Sequence, residues 1–170
     1  GVVFALDALA NVWHSQGLLG ENDKERTKLS QTMGAVLDTF YEDCDEPVII
    51  DKGRGWPIPT ILSAMTQVLG EKPKIIATVR SIPDCMASLV RVANPDDLDE
   101  FIYSGILSTH LKASYMAIQS GYEVAPECFC IVEYEDLVAD PKAQLDRIHE
   151  FLDLPDFEYD FTAIDGTSVQ

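Results

Sequence analysis

The sequence predicts an α/β fold: a parallel sheet with helices on both faces, three layers in all. Two patterns carry that prediction. Short, β-branched apolar runs alternate with longer segments of helical period. The runs are apolar at consecutive rather than alternate positions, as strands covered on both faces are. Helix start and stop signals fall between the runs, so each strand returns through a helical crossover to a parallel neighbour.

Taken in order, Val2–Gln16 has the spacing of a helix, with Val3, Leu6, Leu9 and Trp13 on one face. Lys24–Tyr41 is a second, turning Leu29, Met33, Val36, Leu37 and Phe40 inward. Val48–Ile50 reads as a short buried strand. Pro59–Leu69 is a helix stopped by Gly70. Ile75–Val79 is the next strand and Pro83–Val92 its helix. There Pro83 suits the first turn, and Ser81 and Asp84 have capping-box spacing. Asn94–Asp99 is an acidic turn. Phe101–Gln119 is a long helix that Gly121 should stop. Cys128–Glu133 is a third strand. Asp140 caps a helix from Pro141 to Leu152, whose stripe is Leu145, Ile148, Phe151 and Leu152. No repeat or low-complexity linker interrupts residues 1–170, which read as a single domain.

Composition narrows the function. The 170 residues are 46% hydrophobic, enough for one substantial core. No run of about 18 apolar residues exists, so no membrane span is expected, and no signal peptide opens the chain. The net charge of −17 argues against nucleic acid and anionic membrane surfaces as partners. Against that background Lys52, Arg54, Lys72, Lys74, Arg80 and Arg91 gather in one central portion, as an anionic ligand would require. Lys72 and Lys74 are expected to be ordinary surface charges. Cys44, Cys85, Cys128 and Cys130 form no C-x-x-C pair and read as buried, reduced core thiols of a cytoplasmic protein, with no metal site.

The segment KIIATVRSIPDCMASLVR, Lys74–Arg91, carries the sharpest chemistry. Arg80 stands where a strand runs out, and Ser88 lies on the helix that follows, expected to face the same end of the sheet. A guanidinium and a hydroxyl near a helix N-terminus suit a phosphate. Open α/β sheets bind ligands at that carboxyl end. Lys52 follows just after the Val48–Ile50 run, between Asp51 and the glycines at 53 and 55. Glycine there allows close backbone approach to a ligand.

Strand, then R-x-x-P-x-x-x-x-S on a helix, resembles the 3′-phosphate-binding segment of sulfotransferases. VIIDKGRGWP, Val48–Pro57, is similar to the strand and lysine-bearing loop that precede it in that family. YEDLVADPKAQLDRIHEFLDLP, Tyr134–Pro155, is similar to the family's tyrosine–acid pair, D-P helix start and F-L-x-L-P helix end. The three segments lie in the family's order over Val48–Pro155.

The resemblance implies a P-loop NTPase-like fold. It implies 3′-phosphoadenosine 5′-phosphosulfate (PAPS) as sulfuryl donor, no metal, and a hydroxyl or amine acceptor on a small molecule, carbohydrate or protein. It assigns catalysis to Lys52 and the 3′-phosphate to Arg80 and Ser88, and it puts Tyr134 near the nucleotide. For Tyr134 a core ring with a hydrogen-bonded hydroxyl is the equal alternative. Arg91 adds a cation one turn past Ser88, or simply faces solvent. Arg54 contacts the donor or an anionic acceptor, or braces its loop against an acid such as Asp51. Trp56 reads as a packed anchor. No general base is assigned among His14, His110 and His149. The family's P-S-G-T-T-like phosphosulfate loop does not occur in this sequence. GVVFALDALANVW is similar to family sequence just downstream of it, and DGTSVQ precedes the family's basic C-terminal segment. A partial domain lacking its first strand and last segment is therefore expected. A non-catalytic relative that binds nucleotide or a partner is the alternative. So is a nucleotide kinase, although G-x-x-x-x-G-K-[ST] is absent.

Overall fold

The structure, a computed structural model, describes residues 23–45, 48–103 and 105–162, with the side chains of 23, 25, 26, 29 and 106–110 excepted. The expected helix Val2–Gln16 lies outside the described residues, as do His14 and the side chains of Leu29 and His110. The elements are α1 (Asp23–Phe40), α2 (Pro59–Leu69), β1 (Ile75–Val79), α3 (Ile82–Ala93), α4 (Leu98–Tyr103), α5 (Ile106–Val124), a 3₁₀ turn (Pro126–Cys128), β2 (Phe129–Glu133), α6 (Tyr134–Ala139) and α7 (Pro141–Leu152). They fall into two compact units, Gly1–Pro73 with Ile106–Cys128, and Lys74–Gly105 with Phe129–Gln170.

In the first unit α1 packs on α2, and α2 on α5. Met33, Leu62, Ala117 and Cys128 are its buried hydrophobic residues; of the cysteines expected in the core, Cys44 is exposed and Cys85, in the other unit, only half-buried. Burial pushes the Cys128 thiol up, with the nearby Glu127 charge adding to the effect. Gly70 ends α2 in the left-handed region at φ 74°, its N–H bonded to the Thr66 carbonyl. Val36 and Phe40, expected inward, are exposed; Phe40 instead meets Tyr41 edge-on, with ring centroids 4.9 Å apart.

Three expectations need correction here. Val48–Ile50 is not a buried strand: it has no ladder partner among the described residues, and Ile50 is 80% exposed. An apolar run becomes a strand only where another strand accepts its hydrogen bonds. The expected helix Phe101–Gln119 is two helices, broken at Gly105 with φ 84°. Asp97 makes the earlier start, its Oδ1 accepting the Glu100 N–H at 2.8 Å. Gly121 does not stop α5; it is buried within the helix, which runs on to Val124.

The second unit is built on a parallel pair, β1 beside β2, in the register Ile75↔Phe129 through Val79↔Glu133. Ala77, Phe129, Cys130 and Val132 are its buried residues. Parallel neighbours and helical crossovers make this mixed α/β architecture. The helices α6 and α7 pack on each other and on β2. Ser81 caps α3, its hydroxyl accepting the Asp84 N–H at 3.3 Å, and Asp84 returns a carboxylate to that hydroxyl. Asp140 caps α7 by accepting the Ala143 N–H at 3.0 Å.

Candidate functional site

In the second unit the register decides what meets. Val79 and Glu133 are paired last residues of the two strands, so Arg80 and Tyr134 follow side by side at the carboxyl end. The Arg80 guanidinium carbon lies 4.3 Å from the centre of the Tyr134 ring, a cation–π contact. The Nε of Arg80 is 3.9 Å from Oε1 of Glu135, a loose ion pair. Both helices that leave this end, α3 and α6, start there, so their unpaired N–H groups add positive potential.

Ser88 and Arg91 lie further along α3. With Asp84 they recur at i, i+4 and i+7, the polar stripe of an otherwise apolar helix. Ser88 is half-buried and Arg91 exposed. Neither side chain has a hydrogen-bond or ion-pair partner among the described residues. The structure thus joins Arg80 to Tyr134, and places Ser88 with Arg91 on one helix face. Tyr134 is the first residue of α6 rather than a strand end, and its ring is 43% exposed rather than in the core. Glu135 was legible only as the acid beside Tyr134, with no role attached. Acids at two successive positions, Glu135 and Asp136, were the available signal for a helix first turn.

Lys52 and Arg54 belong to the first unit. Their loop is set by Trp56, whose Nε1 donates to Asp51 Oδ2 at 2.8 Å. A Cβ at position 53 would sit 2.9 Å from that Nε1 and 3.0 Å from Cδ1. Glycine at 53 therefore makes room for the chain's own indole. The loop closes into α2 through the Ile58 N–H on the Gly55 carbonyl, at 3.0 Å. Trp56 is thus an anchor. Asp51, offered as a brace for Arg54, receives the indole N–H. Lys52 is exposed, with no hydrogen bond or ion pair among the described residues.

The remaining cations of the central portion have ordinary surface partners. Lys72 pairs with Glu127, and Lys74 with Asp153 while lying 5.8 Å from the Phe151 ring centre. The hydrogen bond to Glu127 holds the Lys72 pKa above its usual value and that of Glu127 below. His149 is engaged twice. Its Nδ1 lies 2.7 Å from the Pro155 carbonyl oxygen, so it carries the proton, and Nε2 accepts from the Tyr159 hydroxyl at 2.6 Å. That histidine pins the chain after α7. Among the described residues no group of three or more His, Cys, Asp or Glu side chains is placed to hold a metal. No helix among them is long and apolar enough to cross a membrane.

The second unit is mixed α/β, with the Arg80 cation held at the carboxyl ends of two parallel strands beside helix N-termini, an arrangement that suits an anion. The family is identified directly. The sulfotransferase family matches residues 59–159, more than half of the chain, and the chain belongs to it. Arg80, Ser88, Arg91 and Tyr134 lie inside the matched region, and Lys52 and Arg54 before it. No curated protein and no solved structure matches the chain.

Proposed function

We propose that this chain takes PAPS as donor and transfers its sulfuryl group to a hydroxyl or amine acceptor, on a small molecule, carbohydrate or protein. The sulfur–oxygen bond to the donor's 5′-phosphate breaks, a bond forms from sulfur to the acceptor's oxygen or nitrogen, and the acceptor loses a proton. The products are the sulfated acceptor and adenosine 3′,5′-bisphosphate. The Arg80–Tyr134 pair at the carboxyl end of β1 and β2 carries this reading. Its guanidinium is partly exposed and held by one loose carboxylate, so it retains donors for the 3′-phosphate. Ser88 supplies a hydroxyl to the same phosphate, Tyr134 flanks the nucleotide, and Arg91 adds positive charge on the Ser88 helix; Arg54 is a further candidate cation for the donor.

Lys52 is the catalytic residue of this proposal. In sulfuryl transfer, charge builds on the leaving phosphate oxygen, and a cation aimed there lowers the barrier. An exposed lysine without a hydrogen bond or ion pair among the described residues is available for that task. The fold that goes with this chemistry is a three-layer, P-loop-like sheet in one domain, extending beyond β1 and β2. A cytoplasmic setting suits the four free thiols. The acidic chain, at −17, disfavours nucleic acid as partner or acceptor.

The test is ligand-induced stabilisation. Adenosine 3′,5′-bisphosphate should raise Tm more than AMP does, and Arg80→Ala should abolish the difference, a loss of about 1.5–3 kcal/mol for a charge-assisted contact. Equal shifts by the two nucleotides would overturn the donor assignment.

A further inference from the structure

We infer that Glu135 sets the anion affinity of Arg80: its carboxylate occupies the guanidinium in the free protein and yields it to a phosphate dianion. The inference rests on the reading of Arg80 as a 3′-phosphate ligand.

Three features of the carboxyl end point to an exchangeable partner rather than a fixed brace. The separation of 3.9 Å between Nε and Oε1 is long for a hydrogen bond, so the pair is held by charge alone. Both groups reach solvent, with the Glu135 side chain 56% exposed, so parting them strands neither charge in a dry interior. Each also has a second support. Arg80 keeps the face of Tyr134 when the carboxylate leaves. Glu135 stays in the first turn of α6, where a negative charge is favoured.

The other acids around this end are differently placed. Asp84 is committed to the Ser81 hydroxyl. Glu133 closes β2, and Asp136 sits in the first turn of α6; neither is paired with Arg80 among the described residues. Among the described residues Glu135 alone pairs with the guanidinium. A monoanion gains little by displacing one carboxylate with another single charge. A phosphate monoester brings nearly two charges and three acceptor oxygens, and wins the exchange. The carboxylate thus raises the threshold for anion binding in favour of phosphate, and speeds departure of the bisphosphate product.

The experiment measures the binding of adenosine 3′,5′-bisphosphate and of AMP to the full chain and to Glu135→Gln, Glu135→Asp, Arg80→Ala and the Arg80→Ala/Glu135→Gln double variant. Ligand-free melting checks folding of each. Glu135→Gln should bind the bisphosphate about two- to fivefold more tightly, the range a loose surface ion pair supports. AMP binding should not change, Glu135→Asp should behave as the parent, and the gain should vanish in the Arg80→Ala background. A structural role for Glu135 would move both nucleotides together. Weaker or unchanged bisphosphate binding by Glu135→Gln, with Arg80→Ala still weakening it, overturns the inference alone. Arg80→Ala without effect on the bisphosphate overturns the donor reading beneath it as well.

Discussion

At the scale of the residue, two neighbours in one loop make opposite predictions. Lys52 is exposed, without a partner among the described residues. Replacing it with Ala should leave Tm unchanged and lower single-turnover sulfation about 10²–10³-fold, the usual loss for one transition-state contact. Donor affinity should fall less than for Arg80→Ala. Near-normal turnover would remove Lys52 from the mechanism and make Arg54 the next cation to test. Gly53 is the reverse case. Its added methyl would press on the Trp56 indole at 2.9 Å. Gly53→Ala should therefore cost about 1–3 kcal/mol, as overpacking does, read from the urea midpoint together with a shift in tryptophan emission. Unperturbed emission and stability would show that the loop yields freely. Gly53 was legible in the sequence as a position that needs glycine, and the structure adds the Trp56 indole as a neighbour that crowds it. Close approach is inherent in the residue type, whereas what approaches is a matter of tertiary contact. Arg80 was legible as a cation at the carboxyl end of a strand; that it lies over the Tyr134 ring depends on strand register.

Elements with chemical punctuation at their ends could be read from the chain. Gly70, Ser81 and Asp140 each terminate a helix through a bond between neighbours in sequence, and each does so where expected. What failed needed information from afar. Val48–Ile50 has the composition of a strand, but pairing is conferred by a partner. The break at Gly105 and the continuation through Gly121 show the same residue type acting in opposite ways. A left-handed φ releases the chain at the first, and burial within the helix explains the second. α7 offers the sharpest test at this scale. Its N-terminus rests on Asp140, and its C-terminus turns at Asp153, φ 58°, with the Leu154 N–H on the His149 carbonyl at 2.9 Å. Asp140→Ala should lower stability by about 0.5–2 kcal/mol in thermal melts, while Asp140→Asn should restore most of it. An equal loss in both variants would mean that the charge, not the cap, is what counts.

For the molecule as a whole, charge sets the balance. Acids outnumber basic residues by 29 to 12. The ion pairs Lys72–Glu127, Lys74–Asp153 and Lys142–Asp146 are exposed and contribute little. Repulsion among the surplus carboxylates outweighs them. Raising ionic strength from about 0.01 to 0.15 M shortens the screening length from roughly 30 to 8 Å, so Tm should rise. A fall would show that the ion pairs dominate after all. The parallel register of β1 and β2 has a consequence in time. Arg80 and Tyr134 are far apart in the chain and become neighbours only when two strands align residue for residue. Closing so long a loop is slow, because its entropy is lost before any contact repays it. During synthesis the amino-terminal partner waits, through the whole of α3, α4 and α5, for the strand that will complete it. A slip of one position would bring Glu133 or Glu135 to the guanidinium in place of the ring. The cation–aromatic pair is therefore absent from every nascent chain that has not yet emerged past Tyr134, and it becomes a late marker of correct folding.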